Sequence, residues 1–108
     1  SDSNLKTAVT AVDTREILAK LAALPITSWQ YKHNPHRRYI GPMAQDFHSV
    51  FGLGRDDKGI STLDTDGVSL AAIQGLFEEL KARDEEIKAL KDQMRDIQER
   101  LKHLPPAP

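Results

Sequence analysis

The sequence predicts an α+β fold: a small head of short helices and a small antiparallel sheet, followed by one long C-terminal helix in a coiled coil. Two observations carry this. Apolar residues recur at alternating spacings of three and four over more than four heptads between Ile73 and Leu104, long enough for a coiled coil. Ahead of that run, short segments of helical and strand patterning are punctuated by Pro and Gly, the grammar of a small mixed domain.

The first element begins at Asp13-Thr14-Arg15-Glu16. This reads as a capping box, in which Asp13 accepts from a following amide and Glu16 reaches back. Ile17, Leu18, Leu21 and Leu24 recur at helical spacing and Pro25 ends the run, which predicts a helix over about 14–24. Ile26 to Lys32 is rich in strand formers and predicts a strand. Asn34-Pro35-His36-Arg37 reads as the turn and Arg38-Tyr39-Ile40 as the partner strand. Gly41-Pro42 then opens a second helix, Pro being favoured in a first turn, with Met43, Phe47, Val50 and Phe51 on its buried face. Gly52–Gly59 is a polar loop, and Ile60-Ser61-Thr62-Leu63 is a short strand candidate. Asp64, Thr65 and Asp66 are N-caps for the helix that follows.

That helix carries the strongest periodic signal. Ile73, Leu80, Ile87, Met94 and Leu101 fall at heptad position a; Leu76, Leu90, Ile97 and Leu104 fall at d. Lys102 and His103 suit a helix C-terminus, and Pro105-Pro106 stops it. Arg83 interrupts the d positions. It either pairs across the seam with Glu79, Asp84 or Glu86 of a neighbouring chain, fixing register, or snorkels out of a loosened coil. The heptads alone allow two or three helices, because Leu80, Met94 and Leu101 at a dilute the Ile-at-a signal for dimers.

Composition narrows function. The chain has 108 residues, 39% of them hydrophobic and 29% charged, with a net charge of −1 and no cysteine. That excludes disulfides and thiolate chemistry and gives no electrostatic footprint for nucleic acid. No apolar run approaches the ~20 residues that span a bilayer, and Ser1–Lys6 does not read as a signal peptide. Neither a membrane nor a nucleic-acid partner is therefore expected. A head of roughly 65 residues is only marginally able to stand alone, so oligomerisation is a natural source of further burial.

Candidate chemistry is sparse. His33 and His36, beside Arg37 and Arg38, lack the third ligand that a metal site needs and read as a solvated turn. His48 reads as a helix-face residue and His103 as a helix end. Asp64, Asp66 and Gly67 resemble part of a calcium loop, but the twelfth position, where a bidentate Glu belongs, is Gly75. No metal or cofactor is expected. Ser1 and Lys6 are the exception. A serine hydroxyl needs a base, and a lysine can serve if burial lowers its proton affinity. At a chain terminus, however, such a pair is by itself ordinary.

Set beside the rest of the chain, the pair gains weight. Ser1-Asp2-Ser3-Asn4-Leu5-Lys6, Leu24-Pro25-Ile26 leading to Trp29-Gln30-Tyr31-Lys32, Ile40-Gly41-Pro42-Met43-Ala44-Gln45-Asp46, and Gly67-Val68-Ser69-Leu70-Ala71-Ala72-Ile73-Gln74-Gly75-Leu76 together resemble one family. It is the self-cleaving intramolecular chaperone domain, a Ser–Lys peptidase, of endosialidases and phage tail spikes and fibres. The likeness runs from Ser1 to about Ile87. It implies a homotrimer, hence a parallel trimeric coiled coil, that assists folding of an upstream β-helical stalk of the same polypeptide in the host bacterial cytoplasm. It also implies single-turnover self-cleavage in cis before Ser1, with Ser1 as nucleophile, Lys6 as general base and Asp2 as an auxiliary. The released domain would then be absent from the mature virion or only loosely held there. The expected organisation is a head over 1–66, a coiled-coil helix over 67–104 and a Pro-rich tail over 105–108. The trimer seam would comprise Ile73, Leu76, Leu80, Arg83, Ile87, Leu90, Met94, Ile97 and Leu101. Two departures from the family pattern stand out: Gly41-Pro42-Met43, and Gly75 where Glu is common, the latter weakening its helical turn by about 1 kcal/mol relative to Ala. A non-catalytic trimerisation module is the alternative reading. A membrane-tethered relative and a free-standing small-molecule enzyme rank below both.

Overall fold

The computed structural model describes residues 1–108. A 3-10 turn at Ser3–Leu5 is followed by α1 (Thr14–Ala23), β1 (Thr27–Tyr31), β2 (Asn34–Gly41), α2 (Ala44–Phe51) and α3 (Thr62–Lys102). The class is α+β, with short helices, a two-stranded antiparallel sheet and a long C-terminal helix. The chain divides into two compact units, Ser1–Leu76 and Phe77–Pro108.

In the first unit, Asp13 caps α1 by accepting from the amides of Arg15 and Glu16, each at 3.1 Å. Glu16 does not reach back as a capping box would have it; it pairs with Lys20, one turn on, at 3.1 Å. The helix stops at Ala23, ahead of Pro25, because the residue before a proline is driven out of helical conformation, and Leu24 turns extended.

The sheet differs from expectation at its turn. Lys32 and His33 form the reversal, and Asn34–Gly41, expected as turn plus short strand, is one eight-residue strand. Pairing is regular from Thr27↔Gly41 to Trp29↔Tyr39, then jumps to Tyr31↔Asn34, so Pro35–Arg38 bulge opposite Gln30. Pro35 has no amide to contribute and is tolerated where the ladder is already broken. Arg38 supplies bonds there instead. Its guanidinium donates to Ser28 Oγ at 3.1 Å and to the Ser28 carbonyl at 3.0 Å.

Helix α2 starts two residues beyond Pro42, with Met43 at its N-cap and no side-chain cap. Gly52 ends it in the left-handed conformation (φ 64°), donating its amide to the His48 carbonyl at 2.9 Å. Glycine adopts that conformation without a Cβ penalty. Phe47 is buried, Val50 and Phe51 are half-buried, and Met43 is exposed.

The expected strand at Ile60–Leu63 does not form. Ile60 packs on the core, and Ser61 caps α3. The Ser61 hydroxyl accepts from the Leu63 amide at 3.2 Å, and its carbonyl accepts from Asp64 and Thr65 at 3.1 Å each. A four-residue run with no strand to pair with loses to an N-cap. Asp64, Thr65 and Asp66 therefore lie inside the helix rather than capping it, and α3 begins at Thr62.

Leu24, Phe47 and Val68 are the core, with Ile17, Leu21, Val50, Phe51 and Ile60 packed around them. Ala72 and Gly75 extend the buried face of α3. Gly75 is a close-approach position, not merely a weak helix former. A Cβ there would strike the Thr14 carbonyl oxygen and lie 2.8 Å from its carbon and 3.2 Å from Leu18 Cβ. The missing side chain is what lets α3 lie against the first turn of α1.

In the second unit nothing is buried. The helix there is laced by ion pairs at (i, i+3) and (i, i+4): Arg83–Glu79 at 3.4 Å, Arg95–Asp92 at 3.3 Å and Arg100–Asp96 at 3.2 Å. Exposed pairs of this kind contribute at most a few tenths of a kcal/mol each.

Candidate functional site

The Ser1–Lys6 segment folds into one 3-10 turn. Asp2 caps it, its carboxylate accepting from the Asn4 amide at 2.9 Å, while its carbonyl accepts from Leu5 at 3.1 Å. Lys6 closes the turn by donating its amide to the Ser3 carbonyl at 3.2 Å. Ser1 and Lys6 thus flank a single turn, and Asp2 spends its carboxylate on shaping that turn. Both candidate catalytic side chains are exposed, as is every residue from Ser1 to Asp13. Nothing in one chain takes Lys6 out of water. Ala8 holds a positive φ of 53°, a conformation that costs a non-glycine residue about 1 kcal/mol or more.

Behind this arm lies an apolar groove of about 360 Å³, walled by Val12 and Ile17 from the arm and α1, Phe51 and Leu53 from the end of α2 and the loop after it, and Leu63, Val68 and Ala71 from the first turns of α3. Asp64 is the one ionisable residue on its wall.

A second cleft, of about 520 Å³, runs beside the hairpin between Trp29, Tyr31 and Lys32 on one side and Met43, Lys58 and Ile60 on the other. The hairpin is an aromatic stack. Trp29 lies parallel to Tyr39 at 5.0 Å and edge-on to Tyr31 at 4.9 Å, while Arg37 sits over the Tyr39 ring at 4.6 Å. Such contacts each contribute about 0.5–1.5 kcal/mol beyond burial. Trp29 Nε1 is buried without a hydrogen-bond partner. The sequence reading did not single out this cluster, although the aromatic alternation Trp29-x-Tyr31 facing Tyr39 signals it.

The remaining candidates fall into structural roles. His33 stacks on Tyr31 at 5.1 Å. His48 Nδ1 donates to the Leu53 carbonyl at 2.9 Å, pinning the loop after α2. His103 meets Glu99 at 2.8 Å. No three His, Asp or Glu side chains converge as ligands, and no helix is long and apolar enough to cross a membrane.

The seam residues line one stripe of α3. Ile73, Leu76, Leu80, Ile87, Leu90, Met94, Ile97 and Leu101 are each between 49% and 62% exposed, so a long stripe of large apolar side chains, broken at Arg83, has no cover within the chain. Arg83, interrupting that stripe, donates to Glu79 of its own chain at 3.4 Å.

Residues 1–52 match the model of the peptidase S74 family, described as chaperone of endosialidase. The match contains the Ser1–Lys6 turn, the hairpin and α2. It ends at Gly52, short of the Gly67–Leu76 stretch on which the resemblance also rested. No curated protein matches the chain. The family description supports a chaperone role, and its name a peptidase character, for this segment.

Proposed function

We propose that this is an intramolecular chaperone that assembles as a homotrimer through the α3 seam, aids folding of an upstream β-helical or fibrous stalk of the same polypeptide, and then releases itself by cutting before Ser1. The observation that carries the proposal is the coexistence in one chain of a family-matched Ser1/Lys6 turn and an uncovered heptad stripe.

The chemistry is a self-limited acyl transfer. Lys6, as the free amine, removes the Ser1 hydroxyl proton, and Ser1 Oγ attacks the carbonyl carbon of the preceding residue. The C–N bond to Ser1 breaks as its nitrogen takes the proton back from Lys6 and leaves as the amine, and water hydrolyses the resulting ester to the upstream carboxylic acid and the free Ser1 hydroxyl. Lys6 stands in solvent within one chain and needs a drier setting before it can act as a base. Assembly of copies supplies that setting and couples cutting to correct folding. Parallel helices raise the effective concentration of three stalk chains before their slow, non-local pairing begins. After release, the stalk no longer carries the element that assembled it, and its persistence becomes kinetic. The setting for these events is the host bacterial cytoplasm during assembly of a phage tail protein.

The test is the intact mass of a longer precursor, expressed as wild type and as Ser1→Ala and Lys6→Ala. Wild type should split before Ser1 while both variants stay whole. If all three stay whole and still form trimers, the domain is a non-catalytic assembly clamp, and the exposed, unlinked Ser1 and Lys6 side chains are bystanders.

A further inference from the structure

The arm ahead of α1 and the groove behind it are each incomplete in one chain. Leu5 and Val9 are 85% and 80% exposed, four positions apart on a segment with no other large apolar residue before Val12. The groove of about 360 Å³ is open and apolar, with room for two such side chains. Its charges also match: Asp64 is the single ionisable residue on the wall, and Lys6, next to Leu5, is the only basic side chain of the arm.

We infer that the groove receives the arm of a second copy, with Leu5 and Val9 seated between the end of α2 and the first turns of α3 and Lys6 facing Asp64. The chain's own arm already supplies Val12 to the groove wall, while its Leu5 and Val9 stand in solvent, so the vacant space and the bare side chains meet between copies. The heptad pattern agrees. Position e is apolar at Leu63, Leu70 and Phe77 and polar afterwards at Asp84, Lys91 and Gln98. An a/d seam does not require apolar e positions; here they begin at the groove wall, where an additional layer would lie. The arm joins α1 near the groove: Val12 lines it, and Thr14 meets α3 at Gly75, about four residues, or ~6 Å of helix, beyond Ala71.

The inference rests on the copy-to-copy association proposed above for bringing arm and groove to one height. It describes the arm after the cut, when Lys6 has no further part in the chemistry.

The chain has no cysteine, so thiol pairing gives a direct test. The 108-residue chain carrying Val9→Cys and Leu63→Cys, both at exposed positions, is oxidised mildly, and its products are separated without reductant. Oligomer mass is followed in parallel under reducing conditions, with Val9→Cys/Ile40→Cys as the collision control. A disulfide-linked ladder of two and three chains, at least tenfold above the control, is expected. Monomers with both thiols consumed would mean that each arm folds into its own groove. Free thiols in an intact trimer would mean that the groove stays empty. Either overturns the inference while leaving trimerisation standing, whereas a chain that is monomeric throughout overturns both.

Discussion

One helix is put to two uses along its length. From Thr62 to Leu76, α3 shows the first unit a face of small residues and one valine, and Val68, Ala72 and Gly75 are buried there. From Phe77 onward the same helix carries large apolar side chains at heptad spacing, yet none of them is buried. Burial in the first stretch depends on absent volume, because α1 approaches closely only where Gly75 has no side chain. Exposure in the second stretch reflects the length of the stripe, which exceeds anything one small head can cover. Apolar side chains are normal singly on a surface, but a continuous run of them marks an interaction face. The contrast separates a stretch that supplies intrachain packing at Val68, Ala72 and Gly75 from one whose apolar side chains find no cover within the chain.

The largest expected effect comes from breaking the second stretch. Ile87→Asp places a carboxylate in the centre of the stripe, where an unpaired buried charge costs several kcal/mol. Association measured by sedimentation should weaken by more than about 100-fold, and a precursor carrying the change should cleave poorly. Full cleavage by a demonstrably monomeric variant would sink the coupling of cutting to assembly. Next is the core of the first unit. Phe47, 3% exposed, when replaced by Ala should lose ~3–5 kcal/mol, seen as lost cooperativity in chemical unfolding of the head. Gly75→Ala sharpens the contrast because two effects oppose. Helix propensity alone predicts a gain of about 1 kcal/mol, whereas the Thr14 backbone predicts a loss of ~1–3 kcal/mol. Backbone cannot swing aside as a long side chain can, so a lowered midpoint is expected, and a raised one would show that α1 yields. The smallest effect is at the cap. Asp13→Ala removes two amide bonds and should cost about 1 kcal/mol, read as a small shift in Tm.

Periodic signals were legible from sequence and punctuation was less so. The heptads from Ile73, the amphipathic pattern of α1 and the Asp13 cap all describe residues that act on near neighbours along the chain. The hairpin turn was misplaced because Pro35 reads as a turn residue when pairing across the strand is unseen. It sits in a bulge instead, with Arg38 supplying bonds to Ser28. Ile60–Leu63 read as a strand from its composition, and only the lack of a partner strand hands Ser61 to the helix as a cap. Gly75 read as a weakness because propensity is local, while the Thr14 contact is not. At the site, the sequence nominated Ser1, Lys6 and Asp2. The fold shows Asp2 shaping the turn and leaves Ser1 and Lys6 in solvent, a condition set by whatever packs on the arm and so invisible from the arm itself.

The central claim is that the uncovered stripe of α3 is made for further copies of the same chain. Sedimentation equilibrium of the 108-residue chain tests it most directly. The account predicts a mass of roughly three times the 12.1 kDa of one chain. A single species at 12.1 kDa across micromolar concentrations, with the helix intact by circular dichroism, would contradict it.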